Sequence, residues 1–363
     1  MDSFTRDDLR AAVAAGILSE GQAASVTTLV QGRAGKRSAM PAEDEPFEFF
    51  RGFSEIFVSL GLVILMSGVA AMLAWFGGVN LLIAVPFGVA AVAFWWANYF
   101  TLKRRMNLPS MVLACAFGAG LYTSALTLAA MAELPTRVTL MGSFAVGVLG
   151  MVLWYRRFRL PFSAFILGLF VLGVVYSVTA SVDSLGGFVE GSRSGGFSAL
   201  FDLGESPYFA MATLLFGIGA FLVGMWFDTR DPYRLGRHAA TAFWCHMLAA
   251  PALVNTVALT LYNTGGRSGV VLLMVALVGI SVLALVIDRR SFLSAAIVYI
   301  AIVIAWIVVG SGDGDFGTWT LIVIILGALI TAVGTWWVPL RAALMRALPD
   351  FPGKRRLPPY ARA

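Results

Sequence analysis

The sequence predicts an all-α membrane protein, a bundle of about ten transmembrane helices behind a small N-terminal helical hairpin. Three observations lead there. Hydrophobic residues make up 59% of the 363 positions and charged residues only 13%, at a mean hydropathy of +0.84, whereas soluble domains carry roughly a quarter charged residues. Apolar runs recur at about the twenty-residue length that crosses a hydrocarbon core of roughly 30 Å. The runs do not alternate apolar and polar positions as barrel strands do, and in lipid a continuous apolar run satisfies its own amides only as a helix.

The chain begins with a predicted hairpin over 1–33. Thr5 can cap a first helix with Asp7 and Asp8 in its opening turn, and Gly16 sits where a left-handed C-cap residue belongs. Ser19 and Gln22 match a capping box for a second helix. Leu9, Val13, Ile17, Val26 and Leu29 are spaced to bury a shared face. The second helix carries Glu20, Gln22 and Ser25 where a nucleic-acid reader would carry cations, so no nucleic-acid partner is expected. The hairpin is too short to be stable alone and is expected to dock on the membrane part or on a cytoplasmic protein partner. A linker over 34–53 follows, switching from basic to acidic around two prolines and ending in a Phe-rich approach to the membrane.

The bundle occupies 54–337. Its ten spans lie near 56–76, 79–99, 111–131, 136–155, 162–182, 208–228, 239–262, 270–287, 292–309 and 319–337. Threading them alternately places 23 of the 26 Lys and Arg residues on one side. That asymmetry is the positive-inside rule and puts both termini in the cytoplasm. The net charge of +6 then reflects topology and contact with anionic membrane lipids. Lysine is scarce beside arginine, alanine and glycine, a composition of GC-rich bacterial genomes, and the expected location is a bacterial inner membrane. The halves 54–182 and 208–337 hold five spans each and run in opposite senses, the layout of an inverted repeat.

Tryptophans 95, 96, 154, 226, 336 and 337 fall at inner span ends, and 75 and 319 at outer ends, as interfacial anchors do. After the last span, 338–363 reads as a helix lying in the inner interface and a cytoplasmic tail. Leu340, Ala343, Leu344, Ala347 and Leu348 share its apolar face, with Arg341 and Arg346 reaching phosphates.

Within the first spans, the hairpin, the run GLVILMSGVAAMLAW and the order KRR…P…FGAG over 103–120 resemble domain-of-unknown-function family 2157. That resemblance implies a bacterial membrane protein and supplies no activity or site residues.

Few residues qualify as a site. No Asp, Glu, Lys or Arg falls mid-span; Glu55, Glu133 and Asp288 lie at span ends. His246 in AFWCHMLAAP is buried several residues into span seven, and ionisable groups at such depth are functional candidates. It lies on the shoulder of a stripe of Thr241, Cys245, Ala249, Ala252, Thr256 and Asn263. Two readings stay open: a proton relay or substrate contact with Cys245, Thr256, Tyr122 and Tyr176 around it, or a neutral imidazole bonded to a hydroxyl or carbonyl of another span. Arg230, Arg234 and Arg237 can hold an anionic group or simply fix topology. With two His and two Cys in all, a zinc site lacks ligands, and no cofactor is expected. Asp313 and Asp315 lack the further ligands of a calcium loop. No Ser/His/Asp trio falls on one side of the membrane, which argues against an enzyme. The function classes that remain are a permease-like transporter of a small or amphiphilic solute, with a cavity near His246 bordered by spans three, five and seven, or a non-transporting scaffold or sensor that recruits a partner through its hairpin.

Overall fold

The computed structural model describes residues 52–77, 84–179, 201–204, 206–230, 237–290, 292 and 316–358, with 11–13, 15–18, 22 and 26 near the N-terminus. The chain divides into two compact units, Met1–Glu45 and Pro46–Ala363.

In the first unit, Gly16 has φ +68° and ends the helix as expected. Its N–H donates to the Val13 carbonyl and that of Ile17 to the Ala12 carbonyl, the paired bonds of a Schellman motif. Ile17 is not buried as its spacing suggests but is 75% exposed. Lying beyond the left-handed residue, it has left the helical face that the spacing extrapolates. Val13 and Val26 are half-buried and Gln22 is helical and exposed; the other residues named for the hairpin lie outside the described residues.

Among the described residues of the second unit every long element is helical: α1 (Phe53–Gly77), α2 (Ala84–Ala97), α3 (Asn107–Met131), α4 (Thr136–Phe158), α5 (Ser163–Thr179), α6 (Pro207–Asp228), α7 (Arg237–Asn263), α8 (Gly266–Ile287), α9 (Phe316–Thr335) and α10 (Trp337–Ala347). Six of them, α1 to α4, α6 and α7, are long and apolar enough to cross a membrane, with α2 extended by the π-helical turn Asn98–Lys103; α5 and residues 271–287 of α8 form shorter apolar helices. Span nine lies outside the described residues except for Phe292. Leu60, Ile64, Leu149, Leu215, Leu222 and Val275 are bare on the outward faces. A soluble monomer does not expose so much contiguous apolar surface, and lipid-facing helices do.

The inside shows how such helices pack without a hydrophobic drive between them. Buried hydroxyls bond back into their own helix: Ser59 to the Glu55 carbonyl, Ser124 to Gly120, Ser143 to Thr139, Ser177 to Gly173 and Thr256 to Ala252. Glycines admit neighbouring rings and backbone. A Cβ on Gly147 would meet Phe170 at 2.7 Å, and one on Gly120 would meet the Pro86 carbonyl at 2.5 Å.

The buried apolar residues form two main clusters. One joins α1 to α5 around Leu113, Met151 and Trp154, and the other joins α6, α7, α8 and α10 around Val254, Leu277 and Trp337. The expectation of interfacial tryptophans therefore divides. Trp75, Trp95, Trp226 and Trp336 are exposed, but Trp154 and Trp337 are buried. Trp154 lies among Phe94, Phe117 and Phe158 at centroid distances of 6.0, 5.0 and 4.5 Å. Its position in the chain places it near an interface, but its helix face turns it into the bundle.

Phe158, Ser163, Asp228, Arg237 and Ile287 lie at one end of the bundle. Phe162 and Phe165 of α5 and its preceding turn meet Trp244 of α7 there, and Arg157 donates to Asn98 at 2.9 Å. Arginines 104, 105, 156, 157, 159, 230, 237, 289 and 290 cluster at this basic end. Glu55 anchors it: its Oε2 accepts from the N–H groups of Asn107 (3.0 Å) and Leu108 (3.1 Å), capping the N-terminus of α3 from α1.

Candidate functional site

His246 is fully buried, and its partner is a carboxylate rather than a hydroxyl or carbonyl. Its Nε2 lies 2.9 Å from Oδ2 of Asp228, the last residue of α6. The same oxygen accepts from Nε of Arg289 at 3.1 Å, and Arg289 Nη2 bonds Asp228 Oδ1, closing a two-pronged guanidinium–carboxylate pair. Arg289 Nη2 also donates to the Ala239 carbonyl at 3.2 Å. Asp228 is 3% exposed and Arg289 is not exposed at all. Because an ionised carboxylate only accepts, Nε2 is the proton-bearing nitrogen of the imidazole in this arrangement.

Local sequence positions each member. Gly224, one turn before Asp228, lies under the imidazole, where a Cβ would come within 2.8 Å of Cε1. Phe221 and Phe292 meet the imidazole at 5.6 and 5.8 Å between centroids, both edge to face. Arg289 arrives through Asp288, which ends α8 in the left-handed conformation at φ 58°. Aspartate is among the few residues that tolerate that region. Asp288 itself joins a second cluster: its Oδ1 accepts from Trp337 Nε1 at 2.7 Å and lies 3.7 Å from Arg341 Nε. Arg341 also donates to the carbonyls of Leu285 (3.1 Å) and Pro358 (2.7 Å). Expected to reach lipid phosphates, Arg341 is instead buried and ties α10 and the tail to the end of α8.

Each cluster pairs a guanidinium with a carboxylate, and the imidazole joins the first set. Removing one partner of such a buried pair costs about 3–5 kcal/mol, while the intact pair adds little net stability. The arrangement fixes how α6, α7 and α8 meet at the basic end. No three His, Cys, Asp or Glu side chains converge at metal-ligand spacing among the described residues.

The other sequence candidates do not gather round His246. Cys245, the next residue, turns away from it and lines a cavity of about 600 Å³ with Thr241 and Leu248. Thr256 is buried and bonded within α7. Tyr122 packs on Phe144 at 4.8 Å and Phe170 at 6.0 Å between centroids, away from His246. Tyr176 pairs its hydroxyl with that of Thr213 at 2.6 Å, linking α5 to α6. Arg230 lies over the Trp226 ring at 3.6 Å, and Arg237 opens α7, exposed. Arg234 lies outside the described residues.

The cavity is a groove walled chiefly by α5 and α6. It runs from Ala164 to Thr179 on α5 and from Ala212 to Phe227 on α6, about 22 Å along each wall at ~1.5 Å per residue. Residues 241–248 of α7 close only the half toward the basic end. Spans four to seven border it, and span three does not. Its lining is aliphatic, aromatic or small apart from Tyr155, Thr179, Thr241 and Cys245.

Sequence reasoning passed over Asp228 and Arg289. Both sit at span ends, and Arg289 lies where the charge rule already accounts for every arginine. The usable signal was the Asp at the very end of span six, an acid placed among arginines on the basic side. Family models, curated proteins and solved structures were compared with the chain, and none matches.

Proposed function

We propose that the chain is a permease-like membrane protein whose groove between α5, α6 and α7 takes the apolar part of an amphiphilic solute. One observation carries the reading: a groove of about 600 Å³ with an almost wholly apolar lining. Its volume is within the roughly 300–1,000 Å³ of small-molecule sites, and its lining favours a solute with a long apolar part over a small polar one. The helices that border it come from both halves, as in a transporter built of two opposed five-span repeats in a ten-span bundle. Both termini then face the cytoplasm of a bacterial cell, in keeping with the charge bias and with the resemblance to family 2157.

The test uses purified protein in vesicles and the transbilayer movement of a fluorescent single-chain amphiphile. Gly219 lines the groove, and a Cβ there meets nothing within 4 Å, so Gly219→Phe adds bulk to the groove from an uncrowded point of its wall. Movement catalysed by the wild type and lost in Gly219→Phe supports the reading. Equal rates in wild type, variant and protein-free vesicles reject it.

A second reading, a scaffold or sensor, draws on the separation of Met1–Glu45 as its own compact unit. This reading has no transport to lose: it expects deletion of 1–45 to abolish cellular function while the membrane part stays folded, and retained function counts against it.

A further inference from the structure

We infer that the occupant of the groove is a membrane lipid of the leaflet at the basic end, one acyl chain lying between α5 and α6 and an anionic headgroup held by the arginines at that mouth. The inference rests on the groove being the solute site and adds its ligand class and polarity.

Length comes first. A lipid chain spans about half of a ~30 Å hydrocarbon core, so a groove of about 22 Å accommodates one chain and the start of its headgroup. Polarity comes next. Of the four polar lining side chains, Tyr155, Thr241 and Cys245 lie toward the basic end, and only that half is closed by α7. A chain entering from there has a walled channel and hydroxyls beside its ester region.

Charge then selects the headgroup. Arg156, Arg159, Arg230 and Arg237 are exposed and lie within one helical turn of the lining residues Tyr155, Phe227 and Thr241. Among the described residues the acid beside them, Asp228, is buried and paired to Arg289, so it does not neutralise these arginines. Arg230 lies over Trp226 at 3.6 Å, a contact that orients the guanidinium and leaves its charge in place. At the opposite mouth Arg137 is engaged with the carbonyls of Ser177 and Val178, at the end of α5. Among the described side chains, the two mouths therefore differ in the cations they offer.

The experiment is native mass spectrometry of the full chain equilibrated with phosphatidylglycerol or phosphatidylcholine, using wild type, Gly219→Phe, Gly219→Leu, Arg230→Gln and Arg237→Gln. The wild type is expected to retain phosphatidylglycerol over phosphatidylcholine. Each arginine variant should cut that preference by about fivefold, the factor one basic side chain gives at a membrane surface. Both Gly219 variants should lose the lipid adduct, and the leucine variant serves where phenylalanine prevents folding. Equal retention of the two lipids by the wild type, with loss in the Gly219 variants, overturns the headgroup assignment and leaves the groove reading standing. Retention indifferent to Gly219 substitution overturns both.

Discussion

Asp288 and Arg289 are neighbours in the chain, yet their side chains enter two separate buried clusters: Asp288 accepts from Trp337 on α10, and Arg289 clamps Asp228 on α6. The left-handed backbone at Asp288 turns the chain sharply enough to send successive side chains apart. One two-residue corner thereby connects the ends of α6, α7, α8 and α10.

The Asp228–Arg289 pair should behave as a unit. Asp228→Asn or Arg289→Gln alone leaves a partner buried without its counter-charge, and each is expected to lower stability by about 3–5 kcal/mol. The double variant should be far less damaging than the sum, because the uncompensated charge is gone. Denaturant titration of the four proteins in detergent micelles measures the coupling. Additive losses would mean that the pair is not the organising contact at this end.

Gly224 and Gly219 lie on the same helix and make opposite predictions. Alanine at 224 pushes a methyl into the His246 ring, within 2.8 Å, and should cost about 1–3 kcal/mol. Alanine at 219 meets nothing within 4 Å and should be neutral or slightly stabilising, since alanine favours helix over glycine. Thermal melting of both variants in detergent decides it.

Trp337→Phe keeps the ring packing against α8 and removes the donor to Asp288. A buried carboxylate that loses one of its bonds should cost about 1–3 kcal/mol. The loss should also loosen α10, read as faster hydrogen exchange of residues 337–347. Unchanged exchange would mean that Arg341 alone holds α10.

Glu55 tests the opposite side of the basic end. Glu55→Ala deprives the Asn107 and Leu108 amides of their acceptor and α3 of a negative charge at its N-terminus. A loss of about 1–2 kcal/mol is expected. Glu55→Gln, which keeps an acceptor oxygen, should recover part of it in the same unfolding titration.

Much of this molecule was written in the order of its residues. Hydropathy marked the long helices of the described bundle, because a backbone in lipid has no alternative to bonding within itself. The left-handed turn at Gly16 was legible too, since a residue without Cβ after a short helical run has one common use. Depth in the bundle was legible for His246, but only the tertiary structure chose its partner. Asp228 is eighteen residues earlier and Arg289 forty-three residues later, at span ends where cations have a topological reason to exist. A pattern of periodicity records which face of a helix is apolar and says nothing of which neighbour the face will meet. For the same reason Trp154 and Arg341 read as interface residues and proved to be interior ones, and Cys245 and His246, adjacent in sequence and about 100° apart on α7, parted to the groove and to the buried ion pair.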